Sequence, residues 1–154
     1  MKVRTIIIKQ KIFYLCGGMG LFGKERFDEG NDWRIYFKDE FKSVTDGKVQ
    51  CCNPNDHFNF LNTHEYSSQL EIMELDLYKV RNSDAVIVNF NDPKSIRSAC
   101  EMTVAHELRI PIIGLCENVE MDNLHPWLKG MCNRIFKNRE ELVLYILKHY
   151  VNDD

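Results

Sequence analysis

The chain has 154 residues, 44% of them hydrophobic and 28% charged, the composition of one folded domain and not of a disordered or fibrous segment. Twenty Lys and Arg against 23 Asp and Glu leave a net charge of −3, so no basic surface is on offer for a run of phosphates and no polymeric nucleic acid is expected as a partner. Apolar runs such as Ile12 to Cys16 fall far short of the roughly 18–20 residues that a membrane-spanning helix needs, so no membrane is expected either. Lys9 and Lys11 interrupt the apolar start and no small-residue cleavage site follows; the expectation is a cytoplasmic protein forming a single domain over residues 1–154.

Ile12 to Cys16 is a short apolar run closed by Gly17-Gly18, the pattern of a buried strand ending in a glycine loop. Trp33, Tyr36, Phe37 and Phe41 recur at helical spacing and predict a first helix with Asp32 as its N-cap. Lys48 to Cys52 reads as a second strand, ended by the turn Asn53-Pro-Asn-Asp56. From Glu65 to Asn82 the spacing of Leu70, Met73, Leu77 and Val80 predicts a second helix. Asp84 to Phe90 is nearly continuous β-branched apolar sequence, as in a central parallel strand covered on both faces.

Ser95 to Leu108 then places Ala99, Met102, Ala105 and Leu108 on one helical face, and Arg109 to Cys116 returns as a buried strand. A short helix near Leu124 to Met131, a strand at Asn133 to Phe136 and the periodic Leu142, Tyr145, Ile146 and His149 complete the pattern. Alternating strands and helices predict a three-layer α/β domain of flavodoxin-like or Rossmann-like type, with a five-stranded parallel sheet in the order 2-1-3-4-5. Ligands of such sheets bind beyond the carboxyl ends of the strands where the order reverses, here between strands one and three.

Six cysteines occur without any C-x-x-C; Cys16, Cys51, Cys52, Cys100 and Cys116 lie in or beside apolar runs and are expected to be reduced and packed in the core. The five histidines show no ligand spacing, so no metal is expected. Gly18-Met-Gly20-Leu-Phe-Gly23 matches G-x-G-x-x-G, but no acidic residue ends strand two. Gly18 and Gly23-Lys24 also have P-loop spacing, with Glu25 where a magnesium-binding hydroxyl belongs. A glycine-bearing surface loop explains the stretch equally well.

Glu101 stands in the early turns of a helix that starts at a strand's carboxyl end, which points it toward the crevice; helix starts also favour carboxylates for purely structural reasons. Tyr14, Asp76 and Asp92 converge on it if the strand order holds. Asp76 could equally be an exposed helix charge and Asp92 a turn former. Lys94, Ser95, Arg97 and Ser98 beside a helix N-terminus suit an anion, or are solvated surface groups. Trp33 and Arg34 could add a stacking surface and a phosphate contact, although Trp is more often core. In His125-Pro-Trp127 the tryptophan reads as an aromatic anchor packing the last helix.

Three stretches together resemble the nucleoside 2-deoxyribosyltransferases and their relatives that hydrolyse nucleotide N-glycosidic bonds. They are Tyr14-Leu-Cys-Gly-Gly-Met19, Asp76-Leu-Tyr-Lys-Val-Arg-Asn-Ser-Asp-Ala-Val-Ile-Val88, and Ser98-Ala-Cys-Glu101 with Ala105 and Ile110-Pro-Ile-Ile113. The likeness runs from about residue 12 to 116, and order and spacing carry it. It implies Glu101 as the nucleophile that attacks the anomeric carbon of a deoxyribose, Asp76 and Asp92 as candidates for protonating the departing base or holding sugar hydroxyls, and Tyr14 as the hydrogen-bond donor that positions the carboxylate. With the loop after strand one it places Cys16, Gly17, Gly18 and Asp92 around the substrate, to which the residue reading adds Arg97, Ser98, Trp33 and Arg34; no cofactor is expected, and the resemblance implies a homo-oligomer in which Asn123, His125 and Trp127 could reach a neighbour's pocket. The partners implied are a small nucleoside or nucleotide and a free nucleobase. The sequence departs from the family at Lys94-Ser-Ile-Arg-Ser98, where transferases commonly carry an acidic, glycine-containing stretch. Deoxyribosyl transfer between bases is the leading expectation, hydrolysis of a nucleoside 5′-monophosphate the second, and a nucleotide-binding sensor without catalysis the third.

Overall fold

The structure is a computed structural model and describes residues 9–18, 27–56 and 67–152. The strands Lys11–Gly17 (β1), Val49–Cys52 (β2), Ala85–Asn89 (β3), Ile112–Leu115 (β4) and Arg134–Phe136 (β5) pair in parallel in the order 2-1-3-4-5. Helices Phe27–Val44 (α1), Gln69–Arg81 (α2), Ile96–Glu107 (α3), Pro126–Met131 (α4) and Arg139–Ile146 (α5) connect them in a three-layer α/β arrangement. No helix among the described residues is long and apolar enough to cross a membrane.

The alternation of side chains along a strand divides the core in two. Phe13 and Leu15 of β1 pack with Trp33, Phe37 and Phe41 of α1 and with Leu142, Val143 and Ile146 of α5 on one face. Tyr14 and Cys16 point the other way, into the layer holding Val80 of α2 and Met102 and Ala105 of α3. All five residues of β3 are buried, as the unbroken apolar run requires, and each large aliphatic side chain so covered contributes about 1.5–3 kcal/mol.

Caps set the helix starts. Ser68 Oγ accepts from Glu71 N, and the Glu71 carboxylate accepts from Ser67 N and Oγ, a reciprocal arrangement that begins α2 four residues later than the periodicity alone suggests. Ser95 Oγ accepts from Ser98 N at the head of α3, and Asn138 Oδ1 from Glu141 N at the head of α5.

The structure corrects several sequence-based expectations. α1 starts at Phe27, before Asp32, which lies inside the helix, exposed and 3.8 Å from Arg139. On α2 the buried set is Ile72, Asp76 and Val80, whereas Leu70 and Met73 face outward. Leu108 of the predicted α3 face is exposed, while Ser98 and Glu101 are buried. β4 begins only at Ile112, because Arg109 leaves α3 at φ 59° and Pro111 has no N–H for a ladder. All six cysteines are free, but Cys100 is exposed.

Candidate active site

The strand order reverses between β1 and β3, and Gly17 pairs with Asn89 at their carboxyl ends. A cavity of about 330 Å³ opens between α2 and α3, lined among others by Asp76, Arg97, Cys100 and Glu101 with Ile72 and Met73. Each charged group comes from a different physical device. Glu101 sits on the inner face of α3, one turn beyond Arg97; Asp76 is on the buried stripe of α2; Tyr14 rises from the sheet because even-numbered β1 residues face these helices.

Tyr14 Oη donates to Glu101 Oε1 at 3.1 Å, with the phenol wholly buried and the glutamate 4% exposed. Arg97 Nη2 donates to Asp76 Oδ2, and its Nε lies 3.6 Å from Glu101 Oε1, so one guanidinium spans both carboxylates. The Cys16 thiol donates to Ser98 O at 3.7 Å, one turn before Glu101.

Burial raises the Glu101 pKa above the usual carboxylate value; Arg97 opposes this, as do the thiol of Cys16 and the phenol of Tyr14, while Asp76 adds to it. Burial, with Glu101 next, lifts the Tyr14 phenol and the Cys16 thiol well above their ordinary values. Desolvation works against the charge on Arg97, yet Asp76 and Glu101 outweigh it and hold the guanidinium pKa above its normal range. A buried carboxylate that keeps one cation and one hydroxyl donor is oriented and electron-rich, the chemistry of a nucleophile or of an electrostatic partner for a developing cation.

Other candidate residues are placed around this core. Gly17 O accepts from Arg34 Nη2 at 2.9 Å, and a Cβ at Gly17 would stand 2.7 Å from the Trp33 ring. Gly18 N donates to Asn91 Oδ1 at 3.2 Å, and a Cβ there would stand 2.5 Å from Asp92 Cβ, so the two loops meet where only glycine fits. Asp92 Oδ1 accepts from Lys94 N, as a turn former does, and Ser98 Oγ is engaged with Ser95 Oγ at 3.0 Å.

Trp33 and Arg34 lie inside the fold. Trp33 is 3% exposed and packs edge-on against Phe37, on the opposite face of the sheet from the cavity. Arg34 is wholly buried and donates to the carbonyls of Leu15, Gly17 and Gly30 while its guanidinium stacks over Trp33 at 4.5 Å. Burial lowers its pKa to about 10, which leaves it charged at neutral pH. Its role is to tie α1 to the end of β1.

Trp127, expected as an anchor for the last helix, is 79% exposed, and Leu124 fills the buried position beside it; Asn123 and His125 are exposed as well. Gly20, Gly23, Lys24 and Glu25 of the glycine stretch lie outside the described residues. Cys100 at the cavity and Asn91 holding Gly18 were not anticipated; Asn91-Asp-Pro93 does carry a turn signal that could have pointed to the latter. Among the described residues no group of three His, Cys, Asp or Glu side chains is placed to hold a metal ion.

No family model and no curated protein matches the sequence. Solved structures do. A conserved protein from Enterococcus faecalis V583 superposes with a TM-score of 0.74 at 18% identity, over 90% of this chain and 98% of that one. The 2-deoxyribosyltransferase of Bacillus psychrosaccharolyticus gives 0.65 at 12% identity over 93% and 92%. The CMP N-glycosidase of Clostridium botulinum gives 0.55 at 20% identity over 90% and 99%. The chain therefore has the fold shared by a 2-deoxyribosyltransferase and a nucleotide N-glycosidase, across nearly their whole length.

Proposed function

We propose that the protein cleaves the N-glycosidic bond of a small nucleoside or nucleotide, with Glu101 as the nucleophile. The observation that carries this reading is a buried glutamate at a cavity between α2 and α3, held by a tyrosine hydroxyl and linked to a second carboxylate, Asp76, through Arg97. In the reaction Glu101 forms a bond to C1′ as the base departs, and the base or water that follows releases the sugar from the ester. An oxocarbenium-like transition state needs negative charge next to C1′, which Glu101 supplies and Asp76 reinforces. Tyr14 orients the attacking oxygen.

Transfer of deoxyribose to a second base is the leading form of the proposal, supported by the fold shared with the deoxyribosyltransferase. Hydrolysis of a 2′-deoxynucleoside 5′-monophosphate is the second, supported by the fold shared with the CMP N-glycosidase and by Lys94 at the head of α3 as a phosphate contact. Exposed Met73 and Ile96 at the cavity, with exposed Leu70 on the same helix as Met73, support a homo-oligomer as part of the proposal.

Incubation of a 2′-deoxynucleoside, and separately of its 5′-monophosphate, with a second free base tests the forms: a new nucleoside marks transfer, and base release only from the 5′-monophosphate marks hydrolysis. Glu101→Gln is expected to reduce either activity by roughly 10³-fold or more, and a 2-fluoro-2-deoxyribosyl adduct is expected on the peptide carrying Glu101. Turnover near wild type in the variant refutes the reading.

A further inference from the structure

Cys16 stands two residues beyond Tyr14 on β1, so its side chain enters the same helical layer as the phenol. It is wholly buried and is not among the residues lining the cavity, so it acts through Glu101 and not on a ligand. Two acceptors on α3 lie within its reach. The thiol donates to Ser98 O at 3.7 Å, and it also makes a side-chain hydrogen bond with the Glu101 carboxylate. Ser98 and Glu101 are one turn apart and share the buried face of the helix, so both acceptors meet the same sulfur.

A thiol carries one proton and is a weak donor, so it serves one acceptor at a time and turns between the two at little cost. An ionised carboxylate is the stronger acceptor, because charge-assisted hydrogen bonds are roughly twice as strong as neutral ones. When Glu101 is neutral that advantage is gone, and the Ser98 carbonyl takes the proton's direction. The thiol itself stays protonated: burial and then Glu101 lift its pKa well above the ordinary value, while the Ser98 contact and Arg34 from α1 act the other way. Glu101 also meets Tyr14 of β1, Arg97 of α3 and Asp76 of α2, and Cys52 of β2 lies in the same field.

We propose that Cys16 is a positioning residue of the nucleophile, a donor whose single proton turns to Glu101 while that side chain is charged and back to Ser98 O when the charge is gone. The proposal rests on the reading of Glu101 as the nucleophile. In the first step a Glu101 oxygen bonds to C1′ while the C1′–N bond breaks and its electron pair leaves with the base. The carboxylate charge vanishes into the ester, and the thiol turns to Ser98 O. When the accepting base or water bonds to C1′, the electron pair of the ester bond returns to Glu101 and the thiol turns back. The proton stays on sulfur throughout. Cys16 therefore holds the carboxylate before attack and favours its return as a leaving group.

The test reads the S–H stretching band of the full chain by infrared difference spectroscopy, wild type minus Cys16→Ser, from acid to neutral pH. The band is expected to move to lower frequency as Glu101 ionises, because a stronger acceptor loosens the S–H bond, and to stay still in Glu101→Gln. Kinetics supply a second arm. Cys16→Ala is expected to lower kcat about 2–10-fold on the acid side, to move the acid limb to higher pH and to approach wild type on the alkaline plateau. Cys16→Ser keeps a donor and restores the wild-type limb. The infrared arm decides if Cys16→Ala does not fold. A band that ignores the ionisation of Glu101, or moves as far in Glu101→Gln, overturns the proposal, and so does a rate loss of one size at every pH, the mark of lost packing. A still band beside Glu101-dependent base release overturns this proposal alone. A moving band in a protein that releases no base from any nucleoside or nucleotide refutes Glu101 as the nucleophile and, with it, the role of Cys16.

Discussion

Tyr14→Phe removes one oxygen and little else, because the ring is wholly buried and the phenylalanine keeps its packing. The lost bond runs 3.1 Å to Glu101 Oε1, and a buried hydrogen bond to a charged group is worth about 1.5–3 kcal/mol. At about 1.4 kcal/mol per factor of ten, the ionised form of Glu101 becomes roughly 10–150-fold scarcer wherever pH lies below its titration. Because Tyr14 is one of the groups that hold the raised Glu101 pKa down, the acid limb of kcat moves to higher pH in the variant. The wild-type to variant ratio is therefore largest on the acid side and shrinks on the alkaline plateau, where only orientation is lost.

Stability follows the same linkage. A carboxyl whose folded pKa is raised contributes stability that is present below the ordinary carboxylate range and lost as pH climbs through the folded value. Tyr14→Phe deepens that loss, so its melting temperature falls more at neutral pH than at acid pH, by about 3–10 °C at neutral pH for a chain of this size. Base-release kinetics and thermal melts across pH measure both effects. A ratio that is the same at every pH, or an acid limb that does not move, refutes the assignment of Tyr14 to the Glu101 carboxylate.

Two further substitutions probe the scaffold. Arg34→Met leaves the carbonyls of Leu15, Gly17 and Gly30 without their donor and is expected to cost about 2–4 kcal/mol, read as a lower urea midpoint at unchanged slope; a loss under about 0.5 kcal/mol shows that the guanidinium is not a strut. Gly114→Ala puts a methyl group 2.9 Å from Phe90 Cε2 and 3.1 Å from Ile135 Cγ1, so about 1–3 kcal/mol of overpacking is expected from chemical denaturation, and a neutral result means that β4 and β5 yield at that point.

The central strands were legible because their signal is local. β3 is a run of β-branched residues with helices on both sides, and its burial and parallel pairing follow from composition and the length of its connections. Glu101 on α3 was legible for the same reason, since a carboxylate at one turn of a helix that follows a central strand is placed by chain geometry alone. The head of α1 was harder to read, because Phe27 to Asn31 is mostly polar, carries a glycine and has no apolar stripe of its own.

What the chain's one-dimensional order leaves open is rotation and long-range pairing. Leu70, Met73, Leu77 and Val80 formed an apolar stripe on paper, yet α2 turns Ile72, Asp76 and Val80 inward because Arg97, 21 residues away, waits there as the partner of Asp76. Arg34 looked like a hand held out to a ligand until the end of β1 placed two carbonyls within its reach. Periodicity is written into neighbouring residues and survives without a tertiary context. The partner of a long cation is chosen only when distant segments meet, since a buried charge goes where acceptors are and not where its own helix would send it.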